Sequence, residues 1–160
     1  MIRKKILLLG DFGVGKTSLI QRFVDRSFSD TYHTTIGVKI SRKHLEIEGI
    51  SCELLIWDIE GATPVKHIPR AYYKGASGAI FVADVNRTET MEGISEHIRS
   101  FMIMNHDAKY VIAYNKTDLL NETQKESLRQ SIPGETFLTS AKEDQNVDRL
   151  FETLAKEILL

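Results

Sequence analysis

The chain has 160 residues, with 21 Lys and Arg against 22 Asp and Glu, for a net charge of −1. That length suits one domain with a core of its own. The near balance of charge gives no case for nucleic acid or for an anionic membrane surface as a partner. No apolar run approaches a membrane span, and Met1 to Lys5 leads into a strand instead of a signal segment. Ile at position 2 excludes N-myristoylation, and the chain does not end in a cysteine that could be prenylated, so no membrane anchor of its own is expected. The lone cysteine, Cys52, has no partner within the chain and reads as a small buried hydrophobe in a reducing compartment. The expectation is a soluble, cytoplasmic monomer.

In chain order, Ile6-Leu7-Leu8-Leu9 is a short apolar run of the kind that forms a buried parallel strand. Gly10-Asp11-Phe12-Gly13-Val14-Gly15-Lys16-Thr17 follows at once and matches the G-x-x-x-x-G-K-[ST] phosphate loop. Leu19, Ile20, Phe23 and Val24 then repeat with helical spacing. Strand, glycine loop and helix together gather backbone N–H groups and a helix N-terminus around one anion. Lys16 adds a point charge on the β- and γ-phosphates, and the Thr17 hydroxyl can coordinate Mg²⁺. A glycine-rich turn that binds nothing would match the same pattern by chance in roughly one chain of this length in a few hundred. The flanking strand and helix make that reading poorer still.

Arg26 to Gly37 is polar and loop-like. Val38 to Ile47 alternates as a strand, Glu48-Gly49 suits a hairpin turn, and Ser51 to Trp57 is its antiparallel partner. Asp58 closes that strand, where a carboxylate can hold Mg²⁺ opposite Thr17; a capping aspartate is the plainer reading when no phosphate loop is present. Gly61 to Pro69 reads as loop with a weak helix toward Tyr73. Ala79 to Ala83 is a second buried strand, and Met91, Ile94, Ile98, Phe101 and Met102 mark one amphipathic helix. Tyr110 to Tyr114 is a third buried strand, followed by Asn115-Lys116-Thr117-Asp118 and a polar helix around Glu122 to Arg129. Glu135 to Thr139 is a last strand, followed by Ser140-Ala141-Lys142 and a helix with Val147, Leu150, Phe151, Leu154, Ala155 and Ile158 on one face. Strands alternating with helices imply a mostly parallel six-stranded sheet with one antiparallel edge strand, covered on both faces by about five helices. Ligands of such sheets bind beyond the carboxyl ends of the strands.

The base is readable from two of these turns. A carboxylate at Asp118 can accept from the N1–H and exocyclic amino group of guanine, whereas adenine would leave it unpaired. Ser140-Ala141-Lys142 can offer a backbone N–H to the guanine carbonyl. Singly, each short stretch is also ordinary turn chemistry.

Taken together, the chain resembles a Ras-superfamily small GTPase, Rab-like, over nearly its whole length. The motifs stand in family order: Gly10 to Thr17, Thr34-Thr35-Ile36-Gly37, Trp57-Asp58-Ile59-Glu60-Gly61, Asn115 to Asp118, and Ser140 to Lys142. The resemblance implies a P-loop three-layer sandwich acting as one G domain, residues 1–160, that binds GTP or GDP with Mg²⁺ and signals through two switch segments. By it, the nucleotide is held by Gly13, Val14, Gly15, Lys16, Thr17, Ser18, Phe28, Tyr32, Thr35, Asn115, Lys116, Asp118, Ser140, Ala141 and Lys142. Phe28 packs on the guanine edge, Tyr32 lids the phosphates, Thr17, Thr35 and Asp58 serve the metal, and Gly61 bonds the γ-phosphate. Lys16, Thr35 and Gly61 would then carry the catalysis. Effectors and regulators would meet residues 32–40 and 61–74. Thr35-Ile36-Gly37-Val38, Trp57 and Tyr72-Tyr73 are the Rab-like features, although Ile40 stands where the family has an aromatic.

The departures concern hydrolysis. Ala62 replaces the glutamine that orients the attacking water, a kind of loss that costs on the order of 10²–10⁴ in rate. Glu60 would repel a γ-phosphate, Phe12 would crowd its side of the loop and obstruct an arginine finger, and Pro64 stiffens the segment. A slow GTPase, hydrolysing GTP to GDP and phosphate, is expected. The alternatives are a nucleotide-binding module with essentially no hydrolysis, or a P-loop small-molecule kinase, for which no Arg-rich lid is found. His67 is a conceivable stand-in for the glutamine but reads better as a surface residue. His33, His44, His97 and His106 show no ligand spacing, so no transition-metal site is expected.

Overall fold

The computed structural model describes residues 1–28, 37–59, 68–132 and 135–160. Strands β1 (Ile2–Leu9), β2 (Val38–Ile47), β3 (Ile50–Ile59), β4 (Gly78–Asp84), β5 (Lys109–Asn115) and β6 (Thr136–Leu138) form one sheet, in the order β2-β3-β1-β4-β5-β6. All neighbours pair in parallel except β2, which runs antiparallel to β3 at the edge. The described helices are α1 (Lys16–Asp25), α2 (Arg70–Tyr73), α3 (Thr88–Glu92), α4 (Ile94–Met104), α5 (Glu122–Ser131) and α6 (Val147–Leu159). This is the mostly parallel sheet with one antiparallel edge strand that the sequence implies.

The apolar run of β1 explains the layers. Successive residues on a strand face opposite sides, so a strand apolar at every position needs cover on both. Ile6 and Leu8 pack in one cluster with Leu19 and Phe23 of α1 and Leu150, Phe151 and Leu154 of α6. Leu7 and Leu9 pack in the other, with Tyr73, Ile94 and Phe101. Phe23 and Phe151 stack with ring centroids 4.2 Å apart, which joins α1 to α6. Burying each such side chain contributes about 1.5–3 kcal/mol. Cys52 is a buried member of the first cluster.

The hairpin turn at Glu48-Gly49 holds both residues at positive φ, 49° and 83°, the two-residue geometry whose twist matches its strands. Several boundaries differ from the sequence reading, four of them by the packing around them. β3 continues through Asp58 to Ile59, because the ladder with β2 extends to the Val38–Ile59 pair. β6 is only Thr136–Leu138, since β5 offers it just three partners. The helix expected as one unit from Met91 is two, α3 and α4, meeting at Gly93. Finally, α5 runs two residues past Arg129, to Ser131.

The order of the strands places the site. After β1 the chain moves to one side to build β2 and β3, then crosses back over to β4 on the other side. The strand order therefore reverses at the carboxyl end of β1, where open α/β sheets bind ligands.

Candidate nucleotide site

The phosphate loop leaves β1 between its two neighbouring strands. A Cβ on Gly10 would lie 2.3 Å from the Val82 carbonyl oxygen, so nothing larger passes between the loop and β4. Gly15 caps α1 in the left-handed region at φ 103°, and a Cβ there would lie 2.3 Å from Asn115 Nδ2. Lys16 begins the helix and folds back under the loop, where its Nζ donates to the carbonyls of Gly10 and Asp11, both at 3.1 Å. It is 6% exposed, and burial lowers its pKa to about 8, against the opposing pull of Asp58 and Asp11. A buried lysine whose hydrogen bonds go to neutral carbonyls has its charge left to give to an anion.

The other loop carbonyls are tied outward. Asn115 Nδ2 donates to Val14 O at 3.1 Å, and Lys116 Nζ to Gly13 O at 2.7 Å. Asn115 is buried and its own Oδ1 accepts from Thr139 at 3.0 Å, which fixes which way the amide faces. Lys116 sits at φ 68°, a left-handed conformation costly for a side chain, and also pairs with buried Asp84 at 3.1 Å. With its carbonyls held away, the loop can turn its N–H groups inward.

Thr17 and Asp58 meet across the loop, Thr17 Oγ1 donating to Asp58 Oδ2 at 2.6 Å. Asp58 is 2% exposed near the end of β3. A hydroxyl and a carboxylate oxygen side by side form the all-oxygen donor pair that suits a hard divalent cation. Among the described residues no group of three or more His, Cys, Asp or Glu is placed to hold a metal.

The turns after β5 and β6 meet through their side chains. Ser140 Oγ donates to Asp118 Oδ1 at 2.7 Å, which aims the carboxylate. The Ser140 N–H is taken by Gln145 O at 3.1 Å. Phe28 is half-buried against the core, with the Arg22 guanidinium 5.9 Å from its ring centroid. The structure thus brings together Gly13 to Thr17, Asp58, Asn115 to Asp118 and Ser140 to Lys142. Ser18 follows Thr17 in the first turn of α1. Tyr32, Thr35 and Gly61 lie outside the described residues, as do His33, Glu60, Ala62, Pro64 and His67.

Four residues had no signal in the sequence. Arg87 Nη1 donates to Phe12 O at 2.8 Å, and His97 Nε2 lies 2.9 Å from Asp11 Oδ1. Arg22 Nε donates to Ala141 O at 2.7 Å and its Nη2 to Lys142 O at 2.8 Å, bracing the last base-side loop. Asp84 holds Lys116. None lies in a recognisable spacing with what it touches, so only the folded chain reveals them.

With the geometry in hand, likeness to known proteins can be weighed. The family profile described as "Ras family" matches residues 5–160. The chain is 38% identical to Ras-related protein Rab-13 of Rattus norvegicus over 162 aligned positions, covering 98% of this chain and 80% of that protein. It is 37% identical to Ras-related protein SEC4 of Saccharomyces cerevisiae, covering 96% and 74%, and 35% identical to Ras-related protein Rab-10 of Diplobatis ommata, covering 97% and 80%. A full-length family match, an ordered phosphate loop and both base-side motifs agree: the chain belongs to the Ras family, as a Rab-like small GTPase.

Proposed function

We propose that residues 1–160 act as a single G domain that binds GTP or GDP with Mg²⁺, hydrolyses GTP slowly, and presents its state to partner proteins as a cytoplasmic monomer. The observation that carries this reading is Lys16, almost fully buried under the loop carbonyls with its pKa pulled down to about 8. Polyphosphate oxygens would give that cation its counter-charge and fill the ring of loop amides.

In this reading Asp118, aimed by Ser140, accepts from the guanine N1–H and amino group, and Phe28 flanks the ring. Because the Ser140 amide is spent on Gln145, the guanine carbonyl falls to the amides of Ala141 and Lys142. Mg²⁺, held by Thr17 and through Asp58, with Thr35 added in the GTP state, would neutralise phosphate charge. Tyr32 covers the phosphates. Lys16, Thr35 and Gly61 stabilise charge as it develops on the γ-phosphate, while Ala62 supplies nothing to orient water. The partner surface, 32–40 and 61–74, includes Ile40, 49% exposed on the edge strand, and Tyr72, 6.1 Å ring to ring from Trp57. No helix among the described residues is long and apolar enough to cross a membrane.

Two measurements test it. Single-turnover hydrolysis of pre-bound GTP should rise in Ala62→Gln, by up to about 10²-fold if water positioning is the missing part; an unchanged rate removes the account of Ala62. Asp118→Asn should shift preference from guanine toward xanthine nucleotides, and retention of guanine preference would defeat the base assignment.

A further inference from the structure

Away from the phosphate loop, a cleft of about 450 Å³ opens between α5, β6 and the start of α6. Lys125 and Arg129 of α5 line one wall, four residues apart and hence on one helical face. Arg149 of α6 lines another, over the Phe137 ring at 5.9 Å from its centroid. The cations are lightly committed. Lys125 reaches Glu122 at 3.5 Å and Arg129 reaches Glu126 at 3.0 Å, with those carboxylates 84% and 60% exposed. Exposed pairs of this sort contribute little because water screens them, so a bound anion displaces them easily. Arg149 makes no ion pair among the described residues. Lys125 is unusual in that its side chain is only 14% exposed, so its stem is packed while its charge stays at the wall. Thr136, also in the lining, keeps a buried hydroxyl with no hydrogen-bond partner among the described residues. Such a group is destabilising unless something meets it, and one χ1 rotation redirects it.

The geometry points to a second anion site here, for a small phosphorylated polyol. Two guanidinium-bearing residues and a lysine line one volume, which suits the several oxygens of a phosphate better than a single carboxylate. The volume lies in the range of small-molecule sites. The rest of the lining favours hydroxyls over a flat base: Gln145 is polar, and the one aromatic face is already covered by Arg149. The site stands apart from the nucleotide but shares its scaffolding. Gln145 exchanges both backbone hydrogen bonds with Ser140, and Thr117 lies between Lys116 and Asp118. It does not depend on the nucleotide reading, since the three cations that carry it, Lys125, Arg129 and Arg149, take no part in that site.

The probe is inositol trisphosphate, titrated into nitrogen-labelled protein kept in excess GDP and Mg²⁺ so that the phosphate loop is blocked. Saturable shifts should centre on the amides of Thr136, Phe137, Gln145 and Arg149. Affinity should fall at least about tenfold in Arg149→Gln and in Arg129→Gln, as expected for losing one hydrogen-bonded charge. Fluorescent GDP binding, unchanged in both variants, shows that they are folded. Arg99→Gln, remote on α4, should bind the probe as the parent does. Shifts that do not saturate, that centre on the phosphate loop, or that survive both substitutions overturn the proposal. A second arm uses phosphatidylcholine vesicles doped with phosphatidylinositol monophosphate. Sedimentation lost in Arg149→Gln assigns the ligand to a lipid headgroup, and soluble binding without sedimentation assigns it to a free polyol phosphate. Sedimentation indifferent to both substitutions overturns it.

Discussion

The two halves of the phosphate loop are held in different ways. The back half, Gly13 and Val14, is tied by Lys116 and Asn115, which stand at the end of the central strand β5, Asn115 being only 1% exposed. The front half, Asp11 and Phe12, is tied by His97 of α4 and by Arg87, just before α3. Arg87 is 40% exposed and shares its guanidinium with Glu89. Only Lys16, beneath the front of the loop, is buried there. Asn115 thus works in a dry setting where a lost bond leaves an unsatisfied buried group, while the Lys116 side chain is 35% exposed. In the front brace Arg87 works near water, which can replace it, and His97 is 15% exposed. The contrast is sharpest between Asn115 and Arg87.

Substitutions can break this contrast or sharpen it, all read by the affinity and dissociation rate of fluorescent GDP. Lys16→Ala removes the cation itself and should weaken binding most, by roughly 3–5 kcal/mol, the scale for breaking a buried charge pair. Affinity within tenfold of the parent would contradict the role given to the buried lysine. Asn115→Ala strands the buried Val14 O and leaves the Thr139 hydroxyl only its long bond to Tyr114 O, and should cost about 1–3 kcal/mol, seen as faster GDP release. Arg87→Ala should cost less, about 0.5–1.5 kcal/mol, because water can reach Phe12 O. If it matched Asn115→Ala, the distinction between the halves would be lost. His97→Ala should have the smallest effect, within about 1 kcal/mol, since its contact is one bond to a partly exposed carboxylate. Combining Arg87→Ala with Asn115→Ala should give additive losses within about 0.5 kcal/mol if the two braces act independently. A larger departure would show the loop responding as one unit.

The residues of the back brace stood out beforehand as a contiguous motif, Asn115 to Asp118, directly after a strand, but as nucleotide contacts; that Asn115 and Lys116 also hold the loop carbonyls is seen only in the fold. Those of the front brace did not stand out. Arg87 and His97 lie far along the chain from the loop, in a stretch whose visible pattern is the apolar face of Met91, Ile94 and Phe101. That pattern even suggested one continuous helix, and only the geometry at Gly93 divides it into α3 and α4. Arg22 is similar: within α1 it reads as a solvated position, yet it spans to the carbonyls of Ala141 and Lys142. A long polar side chain carries no period that reveals its target.

The amino-acid order by itself determined the layered α/β architecture, the phosphate loop and the base-side turns. Apolar runs, helical periods and glycine spacing are local signals, and they need no knowledge of what lies across the sheet. Tertiary structure alone decided that Arg87, His97 and Arg22 reach the loops they brace, that Thr17 donates directly to Asp58 at 2.6 Å, and that Lys125, Arg129 and Arg149 face one cleft. Those relations join residues tens of positions apart. They are set by how strands order themselves in the sheet and how helices pack over it, and no window along the chain contains both partners.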